Sequence, residues 1–577
     1  MKLERLKENK KAIIILILLL ITVSVGISYA YWKITLSQSN QNAIASSCFK
    51  ITFKEETNGI QLDNAYPITD EEGKNITPYT FTITNECDEF ASYQINLEIL
   101  EDTTLNSQYI KVLLNEEVPE ILTEKEVVEK TLKEATTSYK LKVGYLNSKE
   151  SLTYDLRLWM DEDTQALEET MNKVFASKVT ITASYLDHLP TDYEKCVANY
   201  GEENPQCQIL AHLDTTGKCA EIESNGTVNL NRNYENEEIN EGNMQTITNE
   251  LIETEEGYVC SAPDDYGTSY YFRGNVENNW VKFADSYWRI IRVNGDGSIR
   301  LLYNGEASVI DALDPEVKTQ VLSNGYNDSS TKYTIIGESA YNESYDDNTY
   351  VGYMYGNAGS SSYEETHQNI HDSTIKQYID TWYEEKIRNT EYENFINDTL
   401  FCNDRNLISE EPFTLNDVNY TQLGYGTEIT EYRGDGDPGF FLMAAMKPSY
   451  ADVVNIVTKN PTLKCARQDD RFTVKDTNLG NGDLTYPVAL LTIDEIYLAG
   501  GSSISPNENY YLYNGDQYWS LSPFDFYSVS ADVRYVYDDG SAVNDAVDGS
   551  RGVRPVLNLK SGSLKKGSGT ANDPYMV

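Results

Sequence analysis

Apolar and polar residues alternate with period two across 49–53, 79–84, 92–99 and 179–185, the pattern of strands with one face buried and one in water. Helical spacing predicts an insertion over 120–134 (EILTEKEVVEKTLKE). A second helix is expected over 371–387 (HDSTIKQYIDTWYEEKI), where Ile375, Ile379, Trp382 and Tyr383 fall on one face. Thr492-Ile-Asp-Glu495 has the capping-box spacing that starts a third helix toward Leu498. Asn294-Gly295 followed by Gly297-Ser298 reads as a hairpin turn, because glycine supplies the positive φ such turns need. Before all of these lies a continuous apolar run at 12–31 (AIIILILLLITVSVGISYAY), behind Lys2, Arg5, Lys7, Lys10 and Lys11.

These patterns divide the chain into four parts. Residues 1–31 form a signal or transmembrane segment: the basic flank is that of an exported chain, and about twenty apolar residues are enough to span a bilayer. Ser28-Tyr29-Ala30 also fits a signal-peptidase site, so an N-terminal membrane helix and a cleaved signal are both compatible. The part at 32–189 reads as a β module. The part at 190–262 is acidic, rich in Asn and Glu and poor in apolar periodicity, and it reads as a disulfide-pinned connector. The part at 263–577 mixes short strands with about two helices and ends in the segment 518–559. The cysteines agree with export, being eight in number with no CxxC pair: Cys48, Cys87, Cys196, Cys207, Cys219, Cys260, Cys402 and Cys465. Their placement favours pairing Cys48 with Cys87 and Cys402 with Cys465, the middle four pairing among themselves.

Charge then removes a class of partner. With 46 basic against 91 acidic residues the net charge is −45, and nucleic acid is excluded because phosphate binding draws on clustered Lys and Arg. The chain carries 44 Tyr against 15 Phe, a bias that suits aromatic surfaces in contact with water. The bias is sharpest in 518–559 (YWSLSPFDFYSVSADVRYVYDDGSAVNDAVDGSRGVRPVLNL), rich in Tyr, Ser, Asp and Asn. Such residue types dominate antibody combining sites, where Tyr gives area at low entropy cost and Ser or Asn gives adaptable hydrogen bonds. Between Ser520 and Leu559 there is no Lys, Glu, Gln, Met or Trp. Those five are the residues that randomised adenines in an AAC or AAT codon never encode.

Two resemblances add to this reading. The export segment ending SYAYWKITLSQSNQN, with NAYPITDEEG and PYTFTITNECDEFASYQINLE, resembles the TasA/camelysin group of Gram-positive secreted and matrix proteins. That likeness implies a β-sandwich stalk able to assemble, without an active site. Further on, GTSYYFRGNVENNWVKFADSYWRIIRVNGDGSIRLLYNG, FCNDR, YPVALLTIDEIYLAGG and GVRPVLNL resemble uncharacterised surface domains of gut Firmicutes. More loosely, the ending resembles the C-type-lectin-like fold of formylglycine-generating-enzyme relatives and retroelement-diversified receptors, in which a constant frame carries variable side chains. The resemblance implies a frame of Trp519, Ala531, Val533, Val536, Gly540, Gly552, Val553, Arg554 and Pro555. It implies a ligand-binding face of Phe524, Asp525, Phe526, Tyr527, Ser528, Tyr535, Tyr537, Asp538, Asp539, Asn544, Asp545 and Asp548. The expected fold is therefore multidomain and mainly β, with an α+β C-terminal part: an N-terminal membrane helix, a β-sandwich stalk and a C-type-lectin-like C-terminal domain.

Other candidate chemistry is thinner. His367 and His371 stand at the i, i+4 spacing of a helical metal pair, but no further ligand completes a set, and a solvated helix face is preferred. His188 and His212 stand alone. Asp296 and Asp435 occupy Gly-Asp-Gly turns, with Asp437 near the second; calcium is conceivable there, yet no EF-hand spacing exists and turn chemistry suffices. Arg433-Gly434-Asp435 spells an integrin-binding tripeptide of a kind that arises by chance. A formylglycine-generating activity needs a close cysteine pair near the terminal segment, and Cys465 is the last cysteine. The sequence thus predicts no enzyme and no cofactor. It predicts a cell-surface or secreted binding protein of the adhesin or receptor kind, whose ligand could be glycan, protein or phage receptor. The alternative is a structural matrix or fibre subunit of the TasA type.

Overall fold

A computed structural model describes residues 35–38, 51–55, 66–115, 117–164, 170, 173–186, 188–212, 221–222, 228–229, 257–324, 332–359, 363–406, 413–415, 418–420, 441–442, 461–501, 506–527 and 530–577. The chain divides into two units, Met1–Gly201 and Glu202–Val577.

In the first unit, strand Tyr79–Asn85 buries every second side chain. It belongs to a sheet ordered Ile51–Glu55, Tyr79–Asn85, Ser151–Asp161, Ile110–Leu114, Glu120–Ile121, with Pro67–Ile68 alongside Ser151–Asp161. The other sheet runs Thr35–Gln38, Ser177–Leu186, Phe90–Leu100, Ala135–Leu146, Val127–Val128. Phe81, Ile83, Leu156 and Leu158 from one sheet share a core with Ile95, Leu97, Val179 and Ile181 from the other. The helix expected over 120–134 is absent. That stretch forms strand Glu120–Ile121, the single turn Leu122–Glu124 and strand Val127–Val128. The β-branched pair Val127 and Val128 lies in register with Tyr139 and Ser138. Glu98, buried, then takes the backbone N–H groups of Thr131 and Leu132 at 2.8 Å, which fixes an extended path.

The second unit begins inside the stretch expected to be an unpacked connector. Helix Pro205–Ala211 sends Ile209 into the unit's core, and Gln206 Nε2 donates to Gly297 O at 2.9 Å. The large sheet runs Gly257–Pro263, Thr268–Gly274, Ser286–Val293, Ile299–Glu306, Val556–Leu559, Val488–Ala489. Strand Trp280–Phe283 pairs with Ser286–Val293 and carries Tyr575–Met576. The turn between Ser286–Val293 and Ile299–Glu306 has Gly297 at φ +84°. A second sheet runs Glu338–Ala340, Ser550–Gly552, Tyr518–Tyr527, Ser530–Val536, Ala542–Ala546. The longest helix among the described residues, Thr374–Lys386, is capped by Ser373 and buries Ile375, Ile379 and Tyr383.

The fold expectation needs correction. The described chain is mainly β in several sheets with few helices, instead of an α+β C-terminal part of C-type-lectin type. The helical spacings at 371–387 and 492–498 mark two short helices, and the long-range pairings of the terminal strands set the architecture. No helix among the described residues is long and apolar enough to cross a membrane, and the expected membrane helix at 1–31 lies outside them.

Candidate functional site

Tyr518–Tyr527, Ser530–Val536 and Ala542–Ala546 form an antiparallel meander. The chain then passes through Ser550–Gly552 into Val556–Leu559 of the large sheet. Its frame is fixed by burial and hydrogen bonding. Trp519 is buried, donates from its indole Nε1 to Ser339 O at 2.9 Å, and meets the rings of Tyr341 and Tyr535 edge-on at 5.8 and 5.7 Å. Arg554 is buried, donating to Asn304 Oδ1 at 2.6 Å and Tyr303 O at 3.0 Å beneath the Tyr518 ring. Burial pulls its guanidinium below the usual arginine value, with Tyr518 and Asp516 opposing the shift. Pro555 contributes its carbonyl to Tyr303 N at 2.9 Å. Gly540 sits at φ +80°, and a Cβ there would stand 2.0 Å from Asn507 O. A Cβ on Gly552 would stand 2.6 Å from Gln517 O.

The expected contact residues divide. Asp525, Phe526 and Tyr535 are interior, at 6%, 1% and 6% exposure, so the expectation that they face a ligand is corrected. Phe526 and Tyr535 lie in the unit's core, because Phe526 is in register with Ala531, and Ala531, Val533 and Tyr535 share one buried face of their strand. Phe524 is half-buried under the Arg534 guanidinium, 3.9 Å above its ring. Asp538 accepts from Gln517 Nε2 at 3.1 Å, and Asp539 accepts from Ser541 N at 2.9 Å, which spends both on shaping the turn. Asp545 pairs with Arg551, whose guanidinium lies 4.8 Å over the Tyr535 ring. Tyr537, Asn544 and Asp548 are exposed. Ser528 and the side chain of Tyr527 lie outside the described residues.

The structure adds residues that sequence reasoning missed. Tyr345 accepts from Ala531 N at 2.8 Å through its carbonyl, which sets an exposed phenol ring beside the start of the middle strand. Next along this segment, Tyr350 and Tyr355 meet at 5.3 Å, Tyr355 meets His371 at 5.4 Å, and Ile370 is exposed. The available signal was the run YNESYDDNTYVGYMY at 341–355, which has the same Tyr/Asn/Asp character as the terminal segment.

The histidine pair does not share a helix face. His367 is buried with Nδ1 3.0 Å from Thr366 Oγ1, while His371 lies in the short strand His371–Asp372, ahead of the helix. His188 and His212 are exposed. Asp296 accepts from Ser298 N at 2.8 Å, the turn role expected of it. Arg433, Gly434, Asp435 and Asp437 lie outside the described residues. Cys402 and Cys465 are bonded, and Cys196, Cys207 and Cys260 are also in disulfides. Cys87 is buried, whereas Cys48, its expected partner, and Cys219 lie outside the described residues.

Residues 492–561 match a family model described as Domain of unknown function (DUF6273). The match starts at Thr492, which caps helix Ile493–Ala499, and takes in the whole meander. No curated protein and no solved structure matches the chain.

Proposed function

We propose that this chain is an exported binding protein, displayed at a cell surface or secreted, which captures a ligand non-covalently at the outer side of its terminal meander. One observation carries the reading. Tyr345, Tyr537, Asn544 and Asp548 stand in solvent on a frame held by Trp519, Gly540, Gly552 and Arg554. Aromatic faces with amide and carboxylate neighbours suit stacking and hydrogen bonding to a glycan or a protein loop. The disulfides fit an oxidising compartment. Within the restricted residue alphabet of 520–559, retroelement diversification has room at Tyr537, Asn544, Asp545 and Asp548, and none at Phe526 or Tyr535.

The test is a screen of the purified, oxidised full chain against glycan arrays and surface-protein panels, with its assembly state followed by sedimentation. Saturable capture by non-assembling chains supports the reading. Spontaneous fibres without capture would favour a matrix subunit in its place.

A further inference from the structure

Three backbone hydrogen bonds draw one corner of the meander together. Val547 N donates to Ala531 O at 2.9 Å, Ala531 N donates to Tyr345 O at 2.8 Å, and Asn342 N donates to Val547 O at 2.9 Å. The stretch 342–346 therefore lies beside the start of Ser530–Val536 and the residues that follow Ala542–Ala546. Tyr345 is 43% exposed at this corner. Glu343 and Asp346 flank it in the chain, Asp548 follows Val547, and all three stand in solvent. None of these three carboxylates has an ion-pair partner among the described residues.

The cations that could offset this charge are absent or engaged. No Lys or Arg occurs between Lys332 and Lys376. Lys332 pairs with Glu338, and the side chain of Lys376 is fully buried between Asp372 and Asp380. In the terminal segment Arg534 and Arg554 are buried, and Arg551 pairs with Asp545. The corner thus shows solvent a phenol ring and hydrogen-bond acceptors, with no exposed cation beside them in the chain. Ionised carboxylates accept hydrogen bonds and donate none. An anionic ligand would be repelled and a neutral sugar would leave the charge in place, whereas a cationic side chain neutralises it. A guanidinium suits both features, because its plane stacks on an aromatic face and its N–H fork matches a carboxylate. The meander already contains this arrangement: the Arg551 guanidinium lies 4.8 Å over the Tyr535 ring and pairs with Asp545.

We propose that this corner receives an arginine-bearing segment of a protein partner, the guanidinium lying on the Tyr345 ring and donating to Glu343, Asp346 or Asp548. The inference rests on the reading of the meander's exterior as a capture surface, and it names the chemistry of what is captured.

The experiment is fluorescence anisotropy of the oxidised full chain with a labelled peptide of Gly, Ser and Arg, at about physiological ionic strength so that long-range attraction is screened. The same peptide with citrulline for arginine keeps the shape and removes the charge. Saturable binding of the arginine peptide is expected, about tenfold or more tighter than its citrulline counterpart. Tyr345→Ala should weaken it about tenfold although the net charge is unchanged, and Asp346→Asn with Asp548→Asn should weaken it further. Thermal melts of these surface variants should match wild type. Equal binding of the two peptides, or no binding, would overturn the inference. So would a Tyr345→Ala chain that holds the arginine peptide as wild type does, since bulk charge alone would then account for it. Failure here alongside Tyr345-dependent capture of a neutral glycan removes the arginine partner and leaves the capture reading standing. Failure of both removes the capture surface itself.

Discussion

Tyr535 lies in strand Ser530–Val536 and Tyr537 just past its end, and their rings meet at 6.2 Å, yet their surroundings differ. Tyr535 is packed between Trp519 and Arg551, while Tyr537 is 38% exposed. Tyr535→Ala should therefore cost about 3–5 kcal/mol, as for other large aromatic truncations in a core. Tyr537→Ala should stay within about 0.5 kcal/mol, the range of surface changes. Gly540→Ala should destabilise despite adding one methyl, because the left-handed backbone and Asn507 O both oppose a Cβ. Denaturant unfolding of the three variants checks this order. The terminal segment's residue types marked it as unusual but did not tell inward from outward positions. Tyr, Asp and Ser serve both sides here: Asp525 and Ser520 are interior, and Asp548 is in water. The alternation that would have sorted them is lost, because Tyr518–Phe526 is buried on both faces along most of its length.

At the scale of elements, helix Ile493–Ala499 ties together several parts of the second unit. Its capping box was legible, and Thr492 and Glu495 form it. What the sequence did not show is the second role of Glu495, whose Oε1 accepts from Arg292 at 3.1 Å and Arg300 at 2.6 Å. Burial alone would raise Glu495, and the two guanidinium groups overcome it, holding the acid down to about 2. Next to it, burial pushes Asp494 up to about 7, with the Thr462 N–H opposing at 3.0 Å. The two act with opposite sign, given unfolded carboxylates near about 4. Glu495 stabilises above about pH 4.3 and loses that contribution as pH falls toward about 2. Protonated Asp494 stabilises below about pH 4 and loses its contribution as pH rises through about 7. Melting temperature against pH should thus fall on the acid side through Glu495 and decline between about pH 4 and 7 through Asp494. Asp494→Asn should flatten the second slope. Glu495→Gln should lower stability at neutral pH by about 3–5 kcal/mol, because it leaves buried Arg300 without its ion-pair partner, although Arg292 keeps Asp264 at 2.9 Å. A profile unchanged by both substitutions would contradict these assignments. The Cys402–Cys465 bond was legible from the isolation of two cysteines in one exported part. Closing its 63-residue separation contributes about 4 kcal/mol on the chain-entropy model, so replacing both cysteines with alanine should lower stability by that order. The misread stretch 120–134 shows the opposite case, where helical spacing yielded to a strand pairing and to Glu98, neither of which is local.

For the whole molecule, the strand-rich character of the first unit was legible in local alternation, whereas the second was expected to be α+β and its mainly β architecture was not legible. Its sheets join residues far apart, as where Leu301 pairs with Leu557, and no local pattern encodes such a pairing. Composition remains informative at this scale. A net charge of −45 disfavours anionic partners, while many of the described tyrosines, Tyr353, Tyr510 and Tyr518 among them, are in the core. The central claim is that the terminal meander is a rigid frame with a ligand-contacting exterior. The most direct measurement pairs binding with melting for Tyr345→Ala, Tyr537→Ala, Asn544→Ala and Asp548→Ala, using the glycan or protein captured most tightly in the screen. The account predicts near-wild-type melting for all four, with a loss of about tenfold or more in affinity at one or both tyrosines. Unchanged affinity in all four variants, or melting that collapses as for Tyr535→Ala, would contradict it.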